Sequence, residues 1–110
     1  MKIRIEGLDE LINKLEKNKD LTPVKTVVKK HGASLQSKAI RTAPFDTGTL
    51  RRSITTEVVD DGMTAVIEPH TEYAQYVEYG TRFMEAKPYM RPAFAEVSPK
   101  FVNDLKKLVE

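Results

Sequence analysis

The chain has no cysteine and no tryptophan. The lack of cysteine excludes disulfides and thiolate sites, and it fits an intracellular site of synthesis. Only two histidines occur, His31 and His70, without metal-ligand spacing. The five glycines are scattered, so no glycine-rich phosphate loop exists. Ser34, Ser37, Ser53 and Ser98 lack a His-Asp relay. No apolar run approaches the roughly 18 residues of a membrane span. Met1 to Glu6 alternates charged and apolar residues, so no signal peptide is expected there.

What remains is a chain of 110 residues, 40% hydrophobic and 31% charged. That length and composition describe one globular domain, residues 1–110, with a modest core. Net charge is only +2, but it is laid out in blocks. Residues 21–52 carry seven basic groups against Asp46 alone, and residues 53–86 carry seven acidic groups against Arg82 alone. A basic segment followed by an acidic one fits three arrangements. One face can bind nucleic acid, one subunit's basic face can meet the next subunit's acidic face, or the two segments can neutralise each other within one domain. Lys25, Lys29, Lys30, Lys38, Arg41, Arg51 and Arg52 can reach phosphate. No aromatic residue interleaves them, which disfavours single-strand stacking.

The local patterns predict an α+β fold. Lys2 to Glu6 reads as a short strand, and Leu8, Leu11, Ile12 and Leu15 as a helix stripe. Thr22-Pro23 caps and opens a second helix running to about Thr42, with Val24, Val28, His31, Leu35 and Ala39 on its apolar face. Val27 widens that face, and Gly32 within it marks close backbone packing. Pro44 ends the helix. Arg52–Val59 and Met63–Glu68 read as strands joined at Asp60-Asp61-Gly62. Glu72–Tyr79 reads as a short helix closed by Gly80. A last helix is expected from Pro92, with Phe94, Val97, Phe101, Leu105 and Leu108 inward and a kink or restart at Ser98-Pro99. The expected architecture is a small antiparallel sheet packed by the long helix and the C-terminal helix.

Asp46-Thr47-Gly48 matches the local signature of aspartic proteases. Its context does not, because a helix and Ala43-Pro44 precede it and Arg51 and Arg52 follow, where a catalytic aspartate needs a buried like-charged partner. A tight turn explains the tripeptide, with positive φ expected at Gly48. The four tyrosines all lie between positions 73 and 89. Their apolar bodies and polar tips suit contact surfaces, although some of the rings are expected in the core. Tyr73 and Val77 share one helical face, Tyr76 and Tyr79 another. One of these faces is expected in the core and the other free for a partner.

Three elements in order carry a family resemblance: Ala43-Pro44-x-Asp46-Thr47-Gly48-x-Leu50-Arg51-x-Ser53-Ile54, then Tyr73-Ala74-x-Tyr76-Val77-Glu78-Tyr79-Gly80-Thr81, then Ala86-x-Pro88-Tyr89-Met90-Arg91-Pro92-Ala93. The chain resembles the small neck, head–tail joining or tail-completion proteins of long-tailed bacteriophages and prophages. That resemblance implies a non-enzymatic virion protein without cofactor or membrane contact. It would be made in the host bacterial cytoplasm and assembled as a ring with itself and with neighbouring head-completion and tail proteins. DNA would pass through without sequence-specific contact. The motif and candidate interface residues are Pro44, Asp46, Thr47, Gly48, Leu50, Arg51, Arg52, Tyr73, Tyr76, Glu78, Tyr79, Gly80, Thr81, Pro88, Arg91 and Pro92. A small nucleic-acid-binding domain using the basic 21–52 segment is the alternative. For the ring, the basic and acidic segments are expected on opposite faces, and reversing Arg51 and Arg52 is expected to spare the fold.

Overall fold

The computed structural model describes residues 1–7, 21–44 and 48–108. The helix expected at residues 8–17 and the turn residues Phe45, Asp46 and Thr47 lie outside them. The described chain is α+β, with strand β1 (Ile3–Glu6), helix α1 (Thr22–Thr42), helix α2 (Gly48–Ser53), strands β2 (Thr55–Val59) and β3 (Thr64–Glu68), helix α3 (Ala74–Tyr79) and helix α4 (Met90–Lys107).

The sheet order is β1-β3-β2, and both outer strands run antiparallel to β3. Side chains alternate across a strand, so Ile3, Ile5, Ala65 and Ile67 point to one side. Ile5, Ala65 and Ile67 are buried there with Val24, Val28, Leu35 and Ala39 of α1, which matches the expected apolar stripe. Gly32 permits this close approach. A Cβ placed on it would stand 2.8 Å from the Ala65 Cβ. Gln36 then ties α1 to the start of β2. Its amide donates to the Ile54 carbonyl at 2.9 Å and accepts from the Thr56 hydroxyl at 2.8 Å.

Helix α1 begins one residue earlier than Pro23. Leu21 holds the N-cap position and Thr22 lies inside the helix, where its carbonyl accepts from Thr26 Oγ1 at 3.0 Å, so the expected threonine cap does not form. The C-terminus is as expected, since Pro44 stops the helix after Ala43.

Helix α4 differs more from expectation. It starts at Met90 rather than Pro92 and passes through Pro99 as one element. Its buried stripe is Met90, Ala93, Val97, Phe101 and Leu105. Phe94, expected inward, is 40% exposed. Pro99 sits on the exposed side, where losing one backbone N–H is tolerated without interrupting the helix. Buried His31 joins α1 to α4 through Asp104 at 2.7 Å and rests edge-on against Phe101. That hydrogen bond, with Lys30 nearby, holds the Asp104 carboxyl below its ordinary value.

Residues 48–53, expected to end a turn and begin a strand, instead form α2. Gly48 lies in this helix rather than in the expected turn. The strand starts only at Thr55, because the Ser53 hydroxyl donates to the Leu50 carbonyl at 2.7 Å and Leu50 is drawn into the core. Asp60-Asp61-Gly62 does reverse the chain, with all three residues in the left-handed region that Asp tolerates and Gly favours.

Candidate functional site

The three motif segments meet around α3. Tyr89 is the N-cap residue of helix α4 and makes no side-chain cap. A helix start leaves backbone N–H groups unsatisfied, and its dipole favours a negative charge. Glu78, on α3, supplies that charge from outside the helix. One carboxylate oxygen accepts from Tyr89 N at 3.0 Å and Met90 N at 2.8 Å. The other accepts from Arg91 N at 3.2 Å and Arg91 Nε at 3.0 Å, while the same guanidinium donates to the Glu78 carbonyl at 3.1 Å. Glu78 is fully buried. Burial alone would push its carboxyl up, but these four donors outweigh burial and hold it below its ordinary value.

Glu78 is therefore a buried structural cap, whereas the sequence placed it among candidate interface residues. Tyr89 lies beside it, also fully buried, with its hydroxyl donating to the Ala74 carbonyl at 3.3 Å. Burial, and secondly the Glu78 charge, push the Tyr89 phenol well above its ordinary value. Of the four tyrosines this one is the core ring. Tyr73, Tyr76 and Tyr79 are all exposed. The inward side of α3 is made by Ala74 and Glu78, and of the two expected faces only Val77 packs against the core, half-buried, while all three tyrosines stay exposed.

Gly80, at φ +75°, ends α3 and turns the chain tightly. A Cβ there would stand 2.8 Å from Ala86 N and 2.9 Å from the Met84 carbonyl. Thr81 and Met84 pair through their backbones, Thr81 N to Met84 O at 2.8 Å, and the Thr81 hydroxyl accepts from Phe83 N at 3.1 Å. This lifts Phe83 to the tip of the loop, 89% exposed, with the Arg82 guanidinium 5.3 Å from its ring centroid. Lys87 N returns to the Val77 carbonyl at 2.8 Å, closing the loop against α3.

A mainly apolar groove of about 360 Å³ runs between these segments, lined by Pro44, Thr49, Leu50, Tyr73, Val77, Met84 and Lys87. Pro44 and Leu50 come from the first motif, and Tyr73 and Val77 from the second. Arg51 is not among the groove's lining residues. Its Nε and a terminal nitrogen donate to the Ala43 carbonyl at 3.1 and 2.9 Å, and the latter also reaches the Arg41 carbonyl at 3.4 Å. It thus satisfies the C-terminal carbonyls of α1, so a reversal at Arg51 acts on the fold. Arg52, Thr81, Pro88 and Pro92 are exposed, and Asp46 and Thr47 lie outside the described residues.

The basic segment is partly neutralised. Lys25 pairs with Asp61, Lys30 with Asp104 and Lys38 with Glu96. Two of these three carboxylates lie on α4, beyond the acidic 53–86 segment. Among the described residues no group of three or more His, Asp or Glu is placed to hold a metal ion. No described helix is long and apolar enough to cross a membrane.

A buried charge thus locks α3 to α4, next to exposed tyrosine rings and an apolar groove. The family model described as "Bacteriophage HK97-gp10, putative tail-component" matches residues 8–80, and the chain belongs to this HK97-gp10-like family. No curated protein and no solved structure matches it.

Proposed function

We propose that the chain works at the head–tail junction of a tailed phage or prophage, as a ring around the DNA channel held by protein–protein contacts. Family membership supports a structural tail component of the virion. The observation that carries the finer reading is the set of four exposed aromatic rings, Tyr73, Tyr76, Tyr79 and Phe83, carried by α3 and the loop after it, whose backbone Glu78 pins to α4. Aromatic residues are enriched where proteins meet, and a pinned backbone presents them at small entropic cost. The partners in this reading are further copies of the chain and the head-completion and tail proteins on either side, with DNA passing through unread. It is tested by deleting the gene and imaging the lysate. Filled heads and separate tails, rejoined when the gene is supplied in trans, are the expected outcome. Normally joined particles lacking the protein would refute it.

A further inference from the structure

Strands β1 and β2 are the two edges of one sheet, and among the described residues each pairs only with β3. Open edges are normally guarded by proline, lysine, bulges or short length. Strand β2, Thr-Thr-Glu-Val-Val, is five residues long with no proline, lysine or glycine. Both edges are antiparallel to β3, so they run parallel to each other and stand at matched levels. Arg4 and Glu57 both lie across from Val66, on the side away from the helices. Ile5 and Val58 both lie across from Ala65, on the helix side. Val58 is 44% exposed, and among the described residues Glu57 forms no ion pair. Along β1 runs a second, mainly apolar groove of about 290 Å³ lined by Lys2, Ile3, Arg4, Arg91 and Phe94.

We propose that β2 of one copy adds to β1 of a second copy, in parallel and at the same level, so that the sheet continues from subunit to subunit. Glu57 then stands beside Arg4 of the next copy, and Val58 beside its Ile5. Arg4 already touches Glu6 at 3.2 Å and Asp60 at 3.6 Å, but these are exposed pairs that exchange readily. The chemistry of the two edges is complementary, acidic and apolar against basic and apolar, which directly opposed strand neighbours favour. The donor and acceptor edges lie on opposite sides of the sheet, as a head-to-tail contact that closes into a ring requires. This inference rests on the junction reading and specifies the surfaces that would build its ring.

The absence of native cysteine makes the test direct. Arg4→Cys and Glu57→Cys are introduced together, and particles are oxidised and run on non-reducing gels. Within one copy the two positions are two strand spacings apart, about 9.5 Å. That exceeds the roughly 7 Å limit for a disulfide, so any bond joins two copies. A ladder extending beyond the dimer is expected. The off-level pair Arg4→Cys with Thr55→Cys should give at most about a tenth as much. Protein present in particles with no ladder, with dimers only, or with equal cross-linking from the off-level pair overturns the strand pairing and leaves the junction reading standing. Wild-type protein absent from particles overturns the junction reading instead. The concentrated purified variant then decides the pairing by the same gel, a ladder supporting it and monomer alone refuting it. If the cysteine variant does not fold, the charge exchange decides. Arg4→Glu or Glu57→Arg alone should weaken association, and the two together should restore it. Failure of the folded double variant to recover refutes the pairing.

Discussion

Glu78 and Arg91, thirteen positions apart, are joined at three points. The carboxylate accepts from the Arg91 backbone N–H and from its Nε, and the Glu78 carbonyl accepts from the guanidinium. The second and third motifs are thereby two halves of one helix cap. Glu78→Ala leaves the first N–H groups of α4 buried without an acceptor, and should cost about 2–4 kcal/mol of stability by denaturant unfolding.

The same cap sets a pH dependence. The folded-state carboxyl of Glu78 lies below its ordinary value of 4.5, so folding is favoured by its ionised form. Its contribution is fully present above about pH 4.5 and is lost as pH falls through the depressed folded value. Glu78→Gln should lower stability at pH 7 and flatten the acid limb of the stability curve. An unchanged acid limb in that variant would contradict the assignment.

Arg51 and Arg52 separate by role. Arg51 holds the last carbonyls of α1, and Arg51→Ala should cost about 1–2 kcal/mol. Exposed Arg52 should tolerate alanine within about 0.5 kcal/mol. Melting curves of the two single variants check the contrast.

Gly80 and Gly48 separate in the same way. Gly80→Ala puts a Cβ against the backbone of Met84 and Ala86 at positive φ, and should destabilise by more than about 1 kcal/mol. Gly48→Ala, inside helix α2, meets only the movable end of Arg52, and should be neutral or mildly stabilising. Thermal unfolding of both variants tests the turn geometry.

These cases show what periodicity carries and what it misses. The stripe Val24, Val28, His31, Leu35, Ala39 was legible because it repeats at helical spacing, and so were the strand alternation around Ile3 and Ile5 and the close approach at Gly32. The motif order was enough to indicate the family. The start of α4 was not legible, because its cap comes from a residue far away in the chain. A signal existed, since no Ser, Thr, Asp or Asn stands at Tyr89, so the first N–H groups of that helix had to find an acceptor elsewhere. Without that cue Phe94 fell on the inward face and Glu78 among surface residues. Helix α2 was hidden for a related reason, since a six-residue helix has little period of its own and is held by Leu50 packing and the Ser53 hydroxyl. Arg51, similarly, looked like surface charge because its partners are backbone carbonyls, which no side-chain pattern marks.

Contact and stability separate at the loop tip. Phe83 is 89% exposed, so its ring contributes little to the fold of the isolated chain. Its place is nonetheless fixed by the Thr81–Met84 pairing and by the turn at Gly80. A large aromatic held outward on an ordered backbone is the kind of residue that becomes an energetic anchor when a partner covers it. Phe83→Ser should therefore leave the unfolding midpoint unchanged within about 0.5 kcal/mol of stability. In complementation of a gene deletion, the same variant should lower the yield of joined particles tenfold or more, the effect of losing about 1.4 kcal/mol at one contact. Tyr76→Ser, on the outer side of α3, should behave likewise if the contact extends across the aromatic surface. A Phe83→Ser protein that folds normally and joins heads to tails at full yield would show that the loop tip is not part of the junction.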